Sequence, residues 1–242
     1  MIGIIGAMES EVRLLVERLE EQKERKFGSF TFYTGKMEKQ PVAVVQCGIG
    51  KCAAAICTQL LIDRFGADTV INTGIAGGIR DGLSVGDLVI GTDAVQHDFD
   101  VTALGYVKGY MCTGEDGQKP TVYAADASLC VLAQKAAALR LGEEHVFLGR
   151  IVSGDSFIAS LAKKLELRES FQAYAAEMEG AAVAQAAALN GVRFVILRVI
   201  SDLAQENAGQ LFEGFEEQTA RMSSLITLDM LRLMGEDNNF IK

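Results

Sequence analysis

Glu177 and Glu179 flank a methionine where a short apolar run, residues 173–176, meets an alanine-rich stretch that reaches Asn190-Gly191. Asp202 ends a second apolar run, begun at Arg193, with Arg198 in its interior. Glu11 sits in the first turn of an amphipathic helix on which Met8, Val12, Leu15 and Leu19 step by four, three and four residues. A buried charge without a partner is costly. These charges therefore either line a site or neutralise one another as structural ion pairs. As a site they offer carboxylate chemistry: one acid protonates a leaving group while one base activates water, as in glycoside cleavage. As structure, Arg198 pairs with one carboxylate, the others cap helices, and Glu11 answers the helix dipole. The charges alone leave both readings open.

Other chemistries lack their residues. His97 and His145 are the two histidines, and neither lies near a nucleophile-elbow pattern. Cys47-Gly-Ile-Gly-Lys-Cys52 is not a P-loop, because Val45 stands where that motif needs glycine and Cys52 where it needs Ser or Thr. His97-Asp-Phe-Asp100 has the spacing of a polar loop more than of a ligand set. No metal and no cofactor are expected. The five cysteines are an odd number without a Cys-x-x-Cys pair, which fits a reducing compartment and a cytoplasmic location. A net charge of −9 argues against nucleic acid or an anionic membrane as partner. No apolar run has the length of a membrane span, and the N-terminus reads as a first strand.

The elements that must position the carboxylates alternate. A strand over 2–7 precedes the first helix, which runs into a charged stretch, 20–26, expected as a solvated helix end. Strands follow over 30–36 and 41–46, then a helix to Phe65. An apolar run over 69–73 is broken by the glycines of 74–78. Strand-then-glycine thus recurs after Ile5, Gln46 and Thr73. In an open parallel sheet, ligands bind beyond such carboxyl ends. Strands are expected over 85–95 and 146–153, and helices over 125–141 and from Ile158 to about Glu169. The last helix covers 211–234. Residues 105–120 read as a loop, a candidate lid or partner contact. With 242 residues, 49% of them apolar, the expectation is one α/β domain over 1–235 with a frayed tail over 236–242. Its fold class is a three-layer sandwich: a mixed, mostly parallel central sheet flanked by helices.

Several motifs, in order, resemble a family. Gly6-Ala-Met-Glu-x-Glu11, Gly48-Ile-Gly-Lys51, Asn72-Thr-Gly-x-Ala-Gly-Gly78, Val101-Thr-Ala-x-Gly-Tyr106, Ser153-Gly-Asp-x-Phe-Ile158, Glu177-Met-Glu179 and Arg198-x-x-Ser-Asp202 resemble bacterial 5′-methylthioadenosine/S-adenosylhomocysteine nucleosidase, of the purine nucleoside phosphorylase superfamily. Each motif is modest alone; together they cover most of the chain. The resemblance implies a partly barrel-like sheet, a homodimer, and hydrolysis of the N-ribosidic bond of small adenine nucleosides: the two thioadenosines, with 5′-deoxyadenosine a further candidate. It implies that Asp202, oriented by Ser201, protonates adenine N7. Glu11 would act as base toward water with Arg198 nearby. Glu179, ionised, would hold the ribose hydroxyls above Met178. Phe157 would stack on adenine, Ile158 would bind it through its backbone, and Gly77 would line the site. Met8, Ile49 and Phe212 would form the 5′-thio slot, with Leu104 reaching in from a neighbouring subunit. Asp202 would then need a raised pKa and Glu11 a lowered one, which its helix N-terminus favours. Ile75 stands where the family often has serine, and Leu104 where it usually has phenylalanine. Leu104 and residues 111–120 would shape the 5′ slot.

Overall fold

The structure, a computed structural model, describes residues 1–113 and 116–236. It opens on β1 (Ile2–Gly6), an apolar strand that is buried throughout, followed by α1 (Glu9–Glu17). Next come β2 (Glu20–Phe27), β3 (Phe30–Met37) and β4 (Gln40–Gln46), an antiparallel meander. Glu38 and Lys39, both at positive φ, close the β3–β4 hairpin as a two-residue turn. Then follow α2 (Lys51–Phe65), β5 (Thr69–Gly78), β6 (Leu88–Gln96), the short β7 (Tyr123–Ala124) and α3 (Ala127–Leu141). The chain finishes with β8 (Val146–Ser153), α4 (Leu161–Phe171), β9 (Ala173–Glu177), α5 (Gly180–Leu189), β10 (Arg193–Asp202) and α6 (Ala208–Glu236).

The sheet is mixed. β5 pairs with β10, β10 with β6, β6 with β8, β8 with β9, and β9 returns to β5, so these strands close a barrel. β1, β4, β3 and β2 continue from β5 as an open wing. Apolar side chains on both faces of β1, β4 and β5 call for cover on both sides. On one side Ala54, Cys57 and Leu61 of α2 pack with Ala181, Val183 and Ala187 of α5. On the other, Val12 and Leu15 of α1, Leu129 and Ala133 of α3, and Ile226 and Met230 of α6 share a second core. The expected three layers around a mixed sheet are present.

Three boundaries differ from the sequence reading. Residues 20–26 form a strand and not a helix end. The run carries no apolar period, so only pairing along β3 decides its conformation, helped by Lys36 Nζ at 2.8 Å from Glu21 Oε1. Its charges suit an edge strand, because they discourage pairing with another chain. The glycines of 74–78 do not break β5: they pair with β10 and β9. The last helix begins at Ala208 and continues through Gly235 to Glu236; the rest of the expected tail, 237–242, lies outside the described residues.

Candidate active site

β4, β1, β5 and β10 are neighbouring parallel strands, so their carboxyl ends emerge along one edge. β1 delivers Ala7, Met8 and Glu11 there, β4 delivers Ile49, β5 ends in Ile75 to Gly77, and β10 in Ser201 and Asp202. Glu177 ends β9 and Met178 and Glu179 follow it, while Phe157 and Phe212 line the cavity with their rings edge to face, 5.7 Å apart. The resulting cavity has a volume of about 100 Å³ and is partly open to solvent.

Glu11 is 4% exposed. Its Oε2 accepts from the amides of Ala7 at 2.6 Å and Met8 at 3.0 Å, and its Oε1 from the amide of Ile75 at 3.0 Å. The expected lowering of its pKa does not occur. Burial raises it, and the Arg198 charge and the three amides only partly offset that. Glycine explains how a strand approaches so closely. A side chain at Gly74 would strike Glu11 Oε1, and one at Gly77 would lie 3.0 Å from Asp202 Oδ1. The glycines of β5 are thus the space the two carboxylates occupy.

Asp202 is 1% exposed. Oδ1 accepts from the Ala204 amide at 2.8 Å and Oδ2 from Ser201 Oγ at 3.0 Å. Burial raises its pKa against those bonds and against the charge of Lys164, in the direction an acid needs. Lys164 itself is buried, with Nζ donating to the Leu203 carbonyl at 2.8 Å. A lysine within a helical stretch carries no sequence signal of this placement.

Glu179 and Glu177 divide the remaining charge. Glu179 Oε1 accepts from the Gly50 amide at 2.8 Å. Burial, then the neighbouring Glu177 charge, push its pKa up to about 8. Burial thus favours its neutral form, against the ionised form expected. Glu177 is tied on every side. Its carboxylate meets Arg198 Nη2 at 2.5 Å, accepts from the amides of Glu179 at 3.1 Å and Gly180 at 2.7 Å, and takes a short bond from Ser153 Oγ. The same Arg198 Nη2 also donates to Asn72 Oδ1 at 2.6 Å, and Nη1 to the Asn72 carbonyl at 3.3 Å. Burial works against its charge, and Glu177, Glu11 and Glu179 hold it protonated. Glu177 and Arg198 form a buried ion pair, and Glu177 borders the same cavity as Glu11, Glu179 and Asp202.

The Glu179 shift has a thermodynamic consequence. Its folded pKa lies above its unfolded value of 4.5, so stability is full below that value and falls as pH rises toward about 8. Glu179→Gln keeps an acceptor for Gly50 and removes the titration. It is expected to melt close to wild type near pH 5 and above it near pH 9, by a few kcal/mol at most. Melting curves at the two pH values check this; a gap that does not widen with pH counts against it.

The chain matches the family model described as the phosphorylase superfamily over residues 1–232. It belongs to the phosphorylase superfamily. Within that superfamily it is 42% identical over 233 residues to the 5′-methylthioadenosine/S-adenosylhomocysteine nucleosidase of Staphylococcus carnosus, covering 96% of this chain and 99% of the relative. It is 41% identical to the nucleosidase of the same name from Shewanella halifaxensis, covering 96% and 98%. The nucleosidase of Neisseria meningitidis, solved in complex with methylthio-immucillin-A, superposes with a TM-score of 0.90 at 41% identity, covering 96% and 98%.

This superfamily member brings Met8, Glu11, Ile49, Gly77, Phe157, Met178, Glu179, Ser201, Asp202 and Phe212 to one cavity. Ile158 lines a smaller adjoining cavity with Gly77 and Asp202. Arg198 is not among the lining residues; it stands behind Glu11, 2% exposed. Leu104 is 70% exposed on the short helical turn Thr102–Leu104 and does not line the cavity of its own chain. Tyr110, Thr113 and Asp116, in the expected lid, border a different groove beside Arg150 and Phe171; Gly114 and Glu115 lie outside the described residues. Sequence reading missed Asn72, Lys164 and the Ala204 amide, whose roles arise from contacts distant in the chain or from backbone alone. Ile75, where the family often has serine, presents its amide to Glu11 and its side chain to the cavity.

Proposed function

We propose that this protein hydrolyses the N-ribosidic bond of 5′-methylthioadenosine and S-adenosylhomocysteine, releasing adenine and the 5-thioribose product. One observation carries the reading: Glu11, Glu179 and Asp202 face one cavity whose described lining contains no lysine, arginine or histidine. Such a wall offers phosphate no cationic partner and suits a neutral substrate that becomes positively charged as it reacts. The named relatives support the substrate class.

Asp202, whose burial favours the protonated form, donates to adenine N7 as the bond from C1′ to N9 breaks and its electron pair moves into the base. Water attacks C1′ and gives a proton to Glu11, which the Ala7, Met8 and Ile75 amides aim at the cavity. Positive charge building on the ribose favours the ionised form of Glu179, whose carboxylate is then its counter-charge. Met178 packs under the sugar, Phe157 stacks on the base, Ile158 binds it through backbone groups, and Met8, Ile49 and Phe212 take the apolar 5′ group. Arg198 acts through Glu11 and does not touch the substrate.

Incubation with methylthioadenosine in phosphate-free buffer tests the reaction: adenine release without phosphate is expected. Release that needs added phosphate would identify a phosphorylase, and tight binding without turnover a nucleoside-binding protein; either sinks the hydrolase reading. A homodimer in the cytoplasm belongs to the same proposal. Exposed Leu104 supports the first, because the family resemblance has it completing a neighbour's 5′ slot. Five unpaired cysteines support the second. Light scattering that reads a monomer, or fractionation outside the cytoplasm, removes the corresponding part.

A further inference from the structure

We propose that Lys51, Asp98 and Asp155 are positioning residues that hold the base-binding segment and the ribose-binding turn of the site at one spacing. The proposal rests on the hydrolase reading above. None of the three side chains lines the cavity, and none has a part in the reaction described.

The three residues belong to separate segments and meet in one hub. Lys51 Nζ lies 2.5 Å from Asp98 Oδ1 and 3.2 Å from Gln96 Oε1. The Lys51 amide donates to Asp155 Oδ1 at 2.9 Å, and the Asp155 amide donates to Asp98 Oδ2 at 2.9 Å. The ammonium also reaches Asp155 Oδ2 at 3.9 Å. Gln96 is itself fixed by Gln185 of α5, at 2.7 Å. Asp98 therefore clamps the lysine with one oxygen and the backbone of residue 155 with the other.

Both clamped segments carry site groups. Immediately before Lys51, the Gly50 amide holds Glu179 and Ile49 lines the cavity. Immediately after Asp155 come Ser156, Phe157 and Ile158, which line the base side. On its other flank residue 154 donates to the Glu177 carbonyl at 3.2 Å, and it lies against the buried ring of His97. That ring has no hydrogen-bond partner on either nitrogen, and burial lowers its pKa. The ring supplies packing and no hydrogen bond, and the hub with Asp98 is the direct hold on residue 155.

The ion pair is partly open to water, with side-chain exposures of 17% for Lys51, 30% for Asp98 and 56% for Asp155. Such pairs add little to global stability. What a clamp across segments does provide is pre-organisation: without it, substrate binding must order residues 155–158 against the turn at 49–50. Base stacking and ribose contacts are made in the ground state and the transition state alike, so loosening them raises KM more than it lowers kcat.

Steady-state kinetics with methylthioadenosine, beside melting curves, test this in the full chain. Lys51→Met is expected to raise KM about tenfold with kcat within about threefold of wild type and Tm within about 2 °C. Asp98→Asn should do the same, the double variant should be no worse than either single one, and Lys51→Arg, which keeps the charge, should recover most of the loss. If one variant fails to fold, the other carries the test. Wild-type KM in both variants, a KM in Lys51→Arg equal to that of Lys51→Met, or a loss confined to kcat or tracking a lowered Tm overturns the positioning role. No adenine release by wild type overturns the reading of the site and this proposal with it. Release by wild type with unchanged variants overturns the positioning role alone.

Discussion

Asp202→Asn is expected to lower kcat by about 10²- to 10⁴-fold, the range for losing a general acid, while the protein stays folded. Asparagine has the shape of the residue it replaces and can keep its partners. Its carbonyl can accept from Ala204, as Oδ1 does at 2.8 Å, and its amide can donate to Ser201 Oγ, whose own hydrogen turns to the Ala76 carbonyl at 3.3 Å. What it lacks is a proton acidic enough to transfer to N7. The pH argument points the same way for stability. Burial raises the Asp202 pKa, so ionisation costs stability as pH rises through the folded value, and a neutral amide removes that cost. The variant should therefore melt no lower than wild type at pH 7 while releasing adenine far more slowly. Turnover close to wild type would remove Asp202 from the acid role, and a collapsed melting curve would show that its main role is structural.

Glu177→Ala is expected to cost about 3–5 kcal/mol of stability, the range for removing one partner of a buried ion pair. Arg198 is 2% exposed and would lose its only ion-pair partner among the described residues. The amides of Glu179 and Gly180, at the start of α5, would also lose their acceptor. A typical domain has about 5–15 kcal/mol in total, so the loss takes a large share. Denaturant unfolding reads it directly. Glu177→Gln, which keeps an acceptor oxygen for the amides, should be milder and provides the measurement if the alanine variant does not fold. A loss under about 1 kcal/mol would mean that the pair behaves like a surface salt bridge and that other groups hold Arg198.

Much of this protein was legible before any coordinates. Continuous apolar runs marked β1, β4, β5, β8 and β10, because strands covered on both faces must be apolar throughout. Alternation with helical periods indicated a three-layer α/β sandwich. The cost of placing charge beside apolar runs pointed to Glu11, Glu177, Glu179, Arg198 and Asp202, and the motif order, through the family resemblance, gave roles to Glu11, Glu179 and Asp202. The residues 20–26 were misread because an exposed edge strand has no hydrophobic face to set a period. The glycines of β5 were misread as a break because local propensity counts against glycine in a strand. There the deciding factor was the space needed by side chains from other parts of the chain.

The residue types and their local periods thus determined the fold class, the candidate carboxylates and the acid–base chemistry they offer. Only tertiary structure decided how the charge is divided among them. Burial and long-range partners set pKa values, and neither is a property of neighbours in sequence. Glu177 is neutralised by Arg198 across the sheet. Glu179, two residues on, has its pKa pushed up to about 8 by its burial and then by the Glu177 charge. Glu11 is raised where its helix terminus alone predicted the reverse. The clamp of Lys51, Asp98 and Asp155 is invisible in the chain for the same reason: it exists only where three distant segments meet.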